Sequence, residues 1–270
     1  MDLTDKNAHL VGELGLYTVI DTEDGHTTLY SKYFDENCHS LKGAYEETCY
    51  NYVQGCNVLE TAQIHNNCHI LEVGFGIGLG YKCTTDSFCQ ELSEDELIKL
   101  KITFISLEID PFLIEYAKMN TTIFSEYFPT FHELKEYQMP VRHLKAKKDN
   151  KELIILIGDA RKSLPLFSKK LNYKFDAIYQ DPFSPKKNPI LWTKQWFELL
   201  KNYSHAETKL STYSSSSSVR KTLVHSGWII SNHKGFKSKK TCTHATLEGE
   251  ICSNLLKGLQ SEKIKVLIDN

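Results

Sequence analysis

The stretch HILEVGFGIGLGY, residues 69–81, opens as a near-continuous apolar run and then breaks into glycines. A short apolar run that stops at glycine predicts a strand buried on both faces and a tight turn after it. Three later stretches share the form: ITFISLEID (102–110), ELIILIGDA (152–160) and FDAIYQDPF (175–183). Segments of helical potential lie between them, around 80–100, 112–126 and 161–170, and residues 191–202 predict an amphipathic helix. TKLSTYS (208–214), WIISNH (228–233) and THATLE (243–248) are further strand candidates. Buried strands alternating with helices predict a parallel sheet covered on both faces, an α/β fold of Rossmann-like type. The charged run RHLKAKKDNK (142–151) predicts a surface connection. Ahead of residue 67 no long helical period is present. Turn signals (EDGH, DENC, KGAY) and alternating stretches such as HTTLYSKYF predict short strands or hairpins. The expected organisation is a β-rich extension over residues 1–66 packed on a catalytic domain over 67–270.

The chain has 270 residues, 41% hydrophobic and 24% charged, an ordinary globular composition that excludes disordered and collagen-like classes. No apolar run approaches the roughly 18 residues of a membrane span, and no secretory signal is apparent at MDLTDKNAHL. None of the eight cysteines forms a CxxC pair and no metal-ligand spacing appears. Free thiols, no metal and a cytoplasmic location are therefore expected. The net charge of -2 argues against a nucleic-acid binder, but it hides an asymmetry. Residues 182–240 carry 11 Lys/Arg against 2 Glu, a balance of +9, and the remainder is at -11. Basic groups attract phosphates, and the aromatics of this segment could stack on bases or fill a core.

In open α/β sheets ligands bind beyond the carboxyl ends of the strands. Each of the four buried strands carries an acid there: Glu72 before Gly74-Phe75-Gly76-Ile77-Gly78, Glu108-Ile109-Asp110, Asp159-Ala160, and Asp181-Pro182-Phe183. The glycines fit neither GxGxxG nor a phosphate-cradling P-loop. They allow a small cofactor to approach the backbone, Glu108 is suited to ribose hydroxyls, and Asp159 to an adenine amino group. Acids in this order suit S-adenosyl-L-methionine, which has a ribose, an adenine and a cationic end but no phosphate.

This order resembles the class I S-adenosyl-L-methionine-dependent methyltransferases. A closer resemblance starts at Asp181. QDPFSPKKNPILWTKQWFELL is similar to the DGFAPAKNPxMW signature of the methyltransferase module of MnmC-type tRNA modification enzymes. GAYEETCY (43–50), EVGFGIGLGY (72–81) and VRKTLVHSGWIISNHKGFKSKKTC (219–242) resemble further segments of that module in the same order. The chain departs from it at Pro182, where Gly is usual, at His205-Ala206-Glu207 in place of PGG, and at Lys239-Lys240 in place of Lys-Arg. A second, FAD-binding oxidase module is not recognisable in it.

The resemblance implies methylation of the 5-aminomethyl group on the wobble (2-thio)uridine of tRNA, with a separate enzyme supplying the aminomethyl precursor. The implied catalytic residues are Asp181, which would orient and deprotonate the amine, and Phe183, which would stack on the base. The implied cofactor site is Glu47, Glu72, Gly74, Phe75, Gly76, Gly78, Glu108, Ile109, Asp159, Ala160 and Asp181, with Glu46 beside Glu47. Lys186, Lys187, Arg220, Lys234, Lys237, Lys239 and Lys240 are the candidates for the RNA backbone. Two other readings stand beside it: an aminopropyltransferase of the spermidine synthase kind, and a non-catalytic RNA-binding protein on the same fold.

Overall fold

The computed structural model describes residues 10–120, 125–237 and 241–269. Four short strands come first: β1 (Leu10–Val11), β2 (Leu16–Asp21), β3 (Thr27–Ser31) and β4 (Glu36–Asn37), paired antiparallel in that order. Helix α1 (Ala44–Thr48) then runs on as a wider π-helical turn over Cys49–Gln54, and α2 (Val58–His65) follows. Strand thus ends at residue 37, and much of 44–65 is helical against the β-rich expectation. The pieces are 5, 6 and 8 residues long, too short for a 3.6-residue period to stand out.

The predicted alternation then begins. Its elements are β5 (Asn67–Val73), α3 (Leu79–Glu91), α4 (Glu94–Lys99), β6 (Lys101–Glu108), α5 (Pro111–Asn120), β7 (Lys135–Tyr137), β8 (His143–Lys148), β9 (Lys151–Ile157), α6 (Ala160–Ser168), β10 (Phe175–Gln180), α7 (Lys194–Asn202), β11 (Ser204–Thr212), α8 (Ser217–His225), β12 (Ile229–Lys234), β13 (Thr241–Thr246) and α9 (Ser253–Leu259). Their sheet has the order β12-β13-β11-β10-β5-β6-β9-β8-β7. The five strands from β11 to β9 are parallel, and antiparallel hairpins finish both edges. One correction falls here: residues 143–148 of the charged run form strand β8, paired antiparallel with β9. Its lysines lie on the second strand from the edge, between β9 and β7, with Lys147 exposed to solvent. Lys151 begins β9 and is buried with its ammonium 5.6 Å from the Phe128 ring centre.

The central strands read as unbroken apolar runs because both faces are covered. Ile70, Phe104, Ile155 and Tyr179 point into one core with α2 and α3; Leu71, Ile105, Ile154 and Ile178 point into another with α6, α7 and α8. Trp192, Trp196 and Trp228 are fully buried in the second core. The tryptophans of the basic segment therefore fill the interior and are not free to stack on bases. A third, smaller cluster joins the N-terminal sheet to α5 through Leu10, Tyr17, Leu29, Leu113 and Tyr116.

Strand register sets the site. Gln180, Val73, Leu107 and Leu156 stand level across four neighbouring strands. The next residues along three of them are Asp181, Gly74 and Glu108. After β5 the chain builds outward through β6 and β9, then crosses back to lay β10 on the other flank of β5. That reversal between β5 and β10 is the switch point at which open α/β sheets bind ligands.

Candidate active site

Two cavities open at this point and share a wall made by Cys38, His39, Asp181, Pro182 and Phe183. The first, about 290 Å³, runs from Asp181 past Gly74 and Gly76 to Glu108, Gly158, Asp159 and Ala160. The second, about 230 Å³, lies under α1 and is lined by Glu36, Asn37, Glu47, Thr48, Asn51, Tyr52 and Tyr213.

Gly74 has φ 94°, and a Cβ there would stand 2.7 Å from the Asp181 carbonyl oxygen, so only glycine lets β5 and β10 end this close together. Gly76 donates its N–H to Glu108 Oε2 at 3.0 Å. Ile109 and Asp110 donate theirs to Glu108 Oε1 at 2.8 and 2.9 Å. Three donors thus hold the Glu108 carboxyl, yet burial pushes it up to about 7. The loss of hydration outweighs the bonds that favour its charge. Ile109 stands exposed at the cavity rim.

Asp159 caps α6, its Oδ1 accepting from the Arg161 N–H at 3.0 Å, and its carboxylate lines the cavity. Glu72, in contrast, does not line either cavity. It is buried beneath α3, where the missing side chain of Gly80 makes room for it and Ser106 donates to its Oε2 at 2.6 Å. Burial raises its carboxyl well above the usual range, with Asp181 and Glu108 adding to the effect. Phe75 is likewise buried in the core, and Gly78 starts α3 away from both cavities. Glu72, Phe75 and Gly78 thus line neither cavity, whereas Gly74 and Gly76 line the first.

Asp181 receives the Tyr52 hydroxyl on Oδ1 at 2.5 Å. Burial, and Asp181 beside it, raise Tyr52 well above its usual range, so the phenol keeps its proton and donates. The Tyr213 hydroxyl donates to the Pro182 carbonyl at 3.0 Å. Phe183 stacks on Phe34 at 4.2 Å between ring centres and forms part of the shared wall. The loop after β10 is gripped from the N-terminal sheet. Ser184 donates its N–H to Glu36 Oε2 at 2.9 Å, and Lys187 pairs with Asp35 at 2.6 Å. Glu47 lines the second cavity and accepts from Asn51 Nδ2 at 3.3 Å; Glu46 faces outward and pairs with Lys237 at 2.7 Å.

The second cavity is rich in acceptors. It has three carboxylates, from Glu36, Glu47 and Asp181, and no lysine or arginine among its lining residues. Asn37 Oδ1 and Asn51 Oδ1 are buried in its wall with no hydrogen-bond partner among the described residues. Such a wall calls for a ligand that brings donors, an amine or ammonium above all.

The basic candidates are placed less uniformly than their sequence clustering suggests. Lys186 and Lys234 are exposed. Lys187 and Lys237 are exposed but paired with acids. Arg220 turns its guanidinium inward and donates to Thr243 Oγ1, Thr241 Oγ1 and the Cys242 carbonyl, so it holds β13. Lys239 and Lys240 lie outside the described residues.

Sequence reasoning missed Tyr52, Asn51, Tyr213, Asn37 and His39. Tyr52 and Asn51 directly follow the EETCY segment, which is the one signal that could have found them. Nothing local marks Asn37 or His39, because a turn (DENCHS) brings them in from a separate sheet. Among the described residues no helix is long and apolar enough to cross a membrane, and no group of three His, Cys, Asp or Glu is arranged to hold a metal.

S-adenosyl-L-methionine fits these residues: a bare glycine turn, a carboxyl at the end of β6, and an adjoining wall of unmet acceptors for a cationic end. Comparison with known proteins agrees. Residues 123–248 match a family described as S-adenosyl-L-methionine-dependent methyltransferase. The tRNA 5-methylaminomethyl-2-thiouridine biosynthesis bifunctional protein MnmC of Actinobacillus pleuropneumoniae is 31% identical over 229 residues, 80% of this chain and 33% of that protein. Its counterpart in Azoarcus is 29% identical over 223 residues, 81% of this chain and 33% of that protein. This chain therefore spans about a third of the length of these relatives. The crystal structure of MnmC2 from Aquifex aeolicus superposes with a TM-score of 0.72 at 28% identity, covering 94% of this chain and 79% of that one. By family the chain is an S-adenosyl-L-methionine-dependent methyltransferase of class I fold, related to the methyltransferase region of the MnmC proteins.

Proposed function

We propose that this protein methylates a primary amine, the 5-aminomethyl group of the wobble (2-thio)uridine in tRNA. The observation that carries this reading is the acceptor-lined cavity that meets the glycine-lined one at Asp181. Its chemistry supports an amine as the substrate class, and the names of the relatives support the nucleoside.

When bound, S-adenosyl-L-methionine supplies an electrophilic methyl group. Glu108 would hold the ribose, and Asp159 with Ala160 the adenine. An alkylamine is mostly ammonium at neutral pH and has no lone pair to attack with. The Asp181 carboxylate, fixed by the Tyr52 hydroxyl, would orient that nitrogen and accept its proton. Glu47 and the amide oxygens of Asn37 and Asn51 would take the ammonium of the cofactor's methionine end, beside the substrate amine at Asp181. Phe183, already backed by Phe34, would flank the base. Glu36 and Asp35 tie the N-terminal sheet to the Asp181 loop, so residues 1–66 would form one working unit with residues 67–270. Lys186 and Lys234, with Lys187 and Lys237 once released from their acids, would meet the RNA backbone.

The test is nucleoside mass spectrometry of aminomethyl-bearing tRNA after incubation with the protein and S-adenosyl-L-methionine. A gain of one methyl on the aminomethyluridine is expected. Asp181→Ala should cut that gain by about 100-fold or more at saturating S-adenosyl-L-methionine, the scale of a positioned proton acceptor. An unmethylated nucleoside with wild-type protein, or full turnover by Asp181→Ala, would overturn the substrate or the residue assignment respectively.

A further inference from the structure

The donors of the acceptor-rich cavity are mostly engaged within the protein. Thr48 Oγ1 donates to the Ala44 carbonyl, Asn51 Nδ2 to Glu47, Tyr52 to Asp181 and Tyr213 to the Pro182 carbonyl. His39 differs. It stands in the wall common to both cavities, and its Nδ1 lies 3.1 Å from Thr28 Oγ1. That hydroxyl oxygen already accepts the His39 backbone N–H at 3.1 Å. Thr28 is buried, and among the described residues Nδ1 is the acceptor within reach of its hydroxyl proton. A buried hydroxyl left without an acceptor is costly, so Thr28 donates to Nδ1 and the ring proton sits on Nε2. Burial pushes the imidazole down to about 4, which keeps it neutral.

Nε2–H makes no hydrogen bond to a described residue. The ring edge that carries it lies over the glycine turn. A Cβ on Gly76 would come within 3.1 Å of His39 Cε1 and 3.4 Å of Nε2. An amino-acid end reaching this wall brings an ammonium, which the carboxylates of Glu36, Glu47 and Asp181 suit, and a carboxylate, which they repel. No lysine or arginine lines the second cavity to receive that carboxylate.

We propose that His39 holds the carboxylate of the cofactor's methionine end by donating from Nε2–H, oriented for this by Thr28. The proposal rests on the cofactor reading above and assigns one group of the ligand to a residue of the N-terminal sheet. It also gives that sheet a part in cofactor selection, since a ligand lacking the carboxylate would leave the His39 donor unmet.

Calorimetric titration without tRNA tests it, using S-adenosylhomocysteine and its decarboxylated analogue, which keeps the amine. Wild-type protein should bind the carboxylate-bearing ligand about 10- to 100-fold more tightly, the range for a hydrogen bond to a charged group. His39→Phe, which keeps a flat ring without the donor, should lose that preference by weakening only S-adenosylhomocysteine. His39→Gln, which restores an N–H donor, should recover part of it. Equal weakening of both ligands by His39→Phe, or no weakening, overturns the His39 assignment and leaves the cofactor reading standing. Failure of wild-type protein to bind either ligand overturns both.

Discussion

Glu108 offers a direct test of the cofactor site, because its carboxyl is pushed up to about 7 by burial while three backbone N–H groups already point at it. Ribose hydroxyls bond best to the carboxylate, so cofactor binding should draw the proton off. If binding needs the ionised form, affinity should weaken about tenfold between about pH 8 and about pH 6, following the ionised fraction. Glu108→Gln removes the charge but keeps the shape. Its carbonyl can still take the Ile109 and Asp110 N–H groups, but its amide then faces the Gly76 N–H, donor against donor. That mismatch and the lost charge should together cost about 1–3 kcal/mol, roughly 5- to 150-fold in affinity at the alkaline end, and the pH dependence should vanish. The sign for stability runs the other way from that for binding. A carboxyl raised from 4.5 in the unfolded chain to about 7 in the fold favours folding at low pH. It loses that contribution as pH climbs through this window. The ligand-free protein should therefore show a fall in Tm across it, and Glu108→Gln should remove part of the fall. Burial also raises Glu72, so the difference between wild type and variant is the quantity to read. Calorimetric affinity at several pH values decides the matter. A wild-type affinity that is flat from about pH 6 to about pH 8 would refute the assignment.

Two further outcomes are expected. Asp110 is fully buried and accepts from the Glu13 and Leu14 N–H groups, the Tyr17 hydroxyl and the Phe112 N–H. Asp110→Ala should cost about 3–5 kcal/mol and expose residues 10–37 to hydrogen exchange before the nine-stranded sheet; uniform exchange throughout would mean the small sheet is held by its apolar cluster instead. Lys186→Glu with Lys234→Glu should weaken tRNA binding and flatten its dependence on salt, because each neutralised phosphate releases counterions, while affinity for S-adenosylhomocysteine stays unchanged. Wild-type binding that is insensitive to salt would favour a small free substrate.

The doubly covered sheet was legible because it imposes one rule on many residues. Each buried strand must be apolar on both faces, and the glycine or acid that ends it interrupts the run. Four such interruptions in order give both the fold and the location of the site. Short elements carry no such redundancy. The helices before β5 are one to two turns each, and β8 hides its alternation under lysines because its polar positions face water at the outer part of the sheet. The aromatic residues of the basic segment were ambiguous in the sequence for a related reason. A tryptophan next to lysines reads alike on a surface and in a core, and only the packing of α7 and α8 on the sheet decides for the core.

The candidate site was legible by half, and the dividing line is physical. Residues that stand where a strand ends can be read from the chain, since the strand predicts where they stand. Residues delivered by a loop from another sheet cannot. His39, Glu36 and Asn37 reach the cavities because β4 and the turn after it are drawn over the Asp181 loop by the Phe34–Phe183 stack and the Glu36–Ser184 bond. Even among the strand-end acids, position alone did not assign a role. Glu108 and Asp159 face a cavity, Asp110 anchors the small sheet, and Glu72 lies beneath α3 in the space opposite Gly80. The difference comes from what each carboxyl meets. Backbone N–H groups around Glu108 leave it open to the cavity, whereas helix α3 closes over Glu72, and Ser106 accounts for its accepted hydrogen bond at 2.6 Å. An acid covered by a helix, its carboxyl raised by burial, stands under the turn that a cofactor would lie on. An acid that lines the cavity beside the same turn is the one able to bind it.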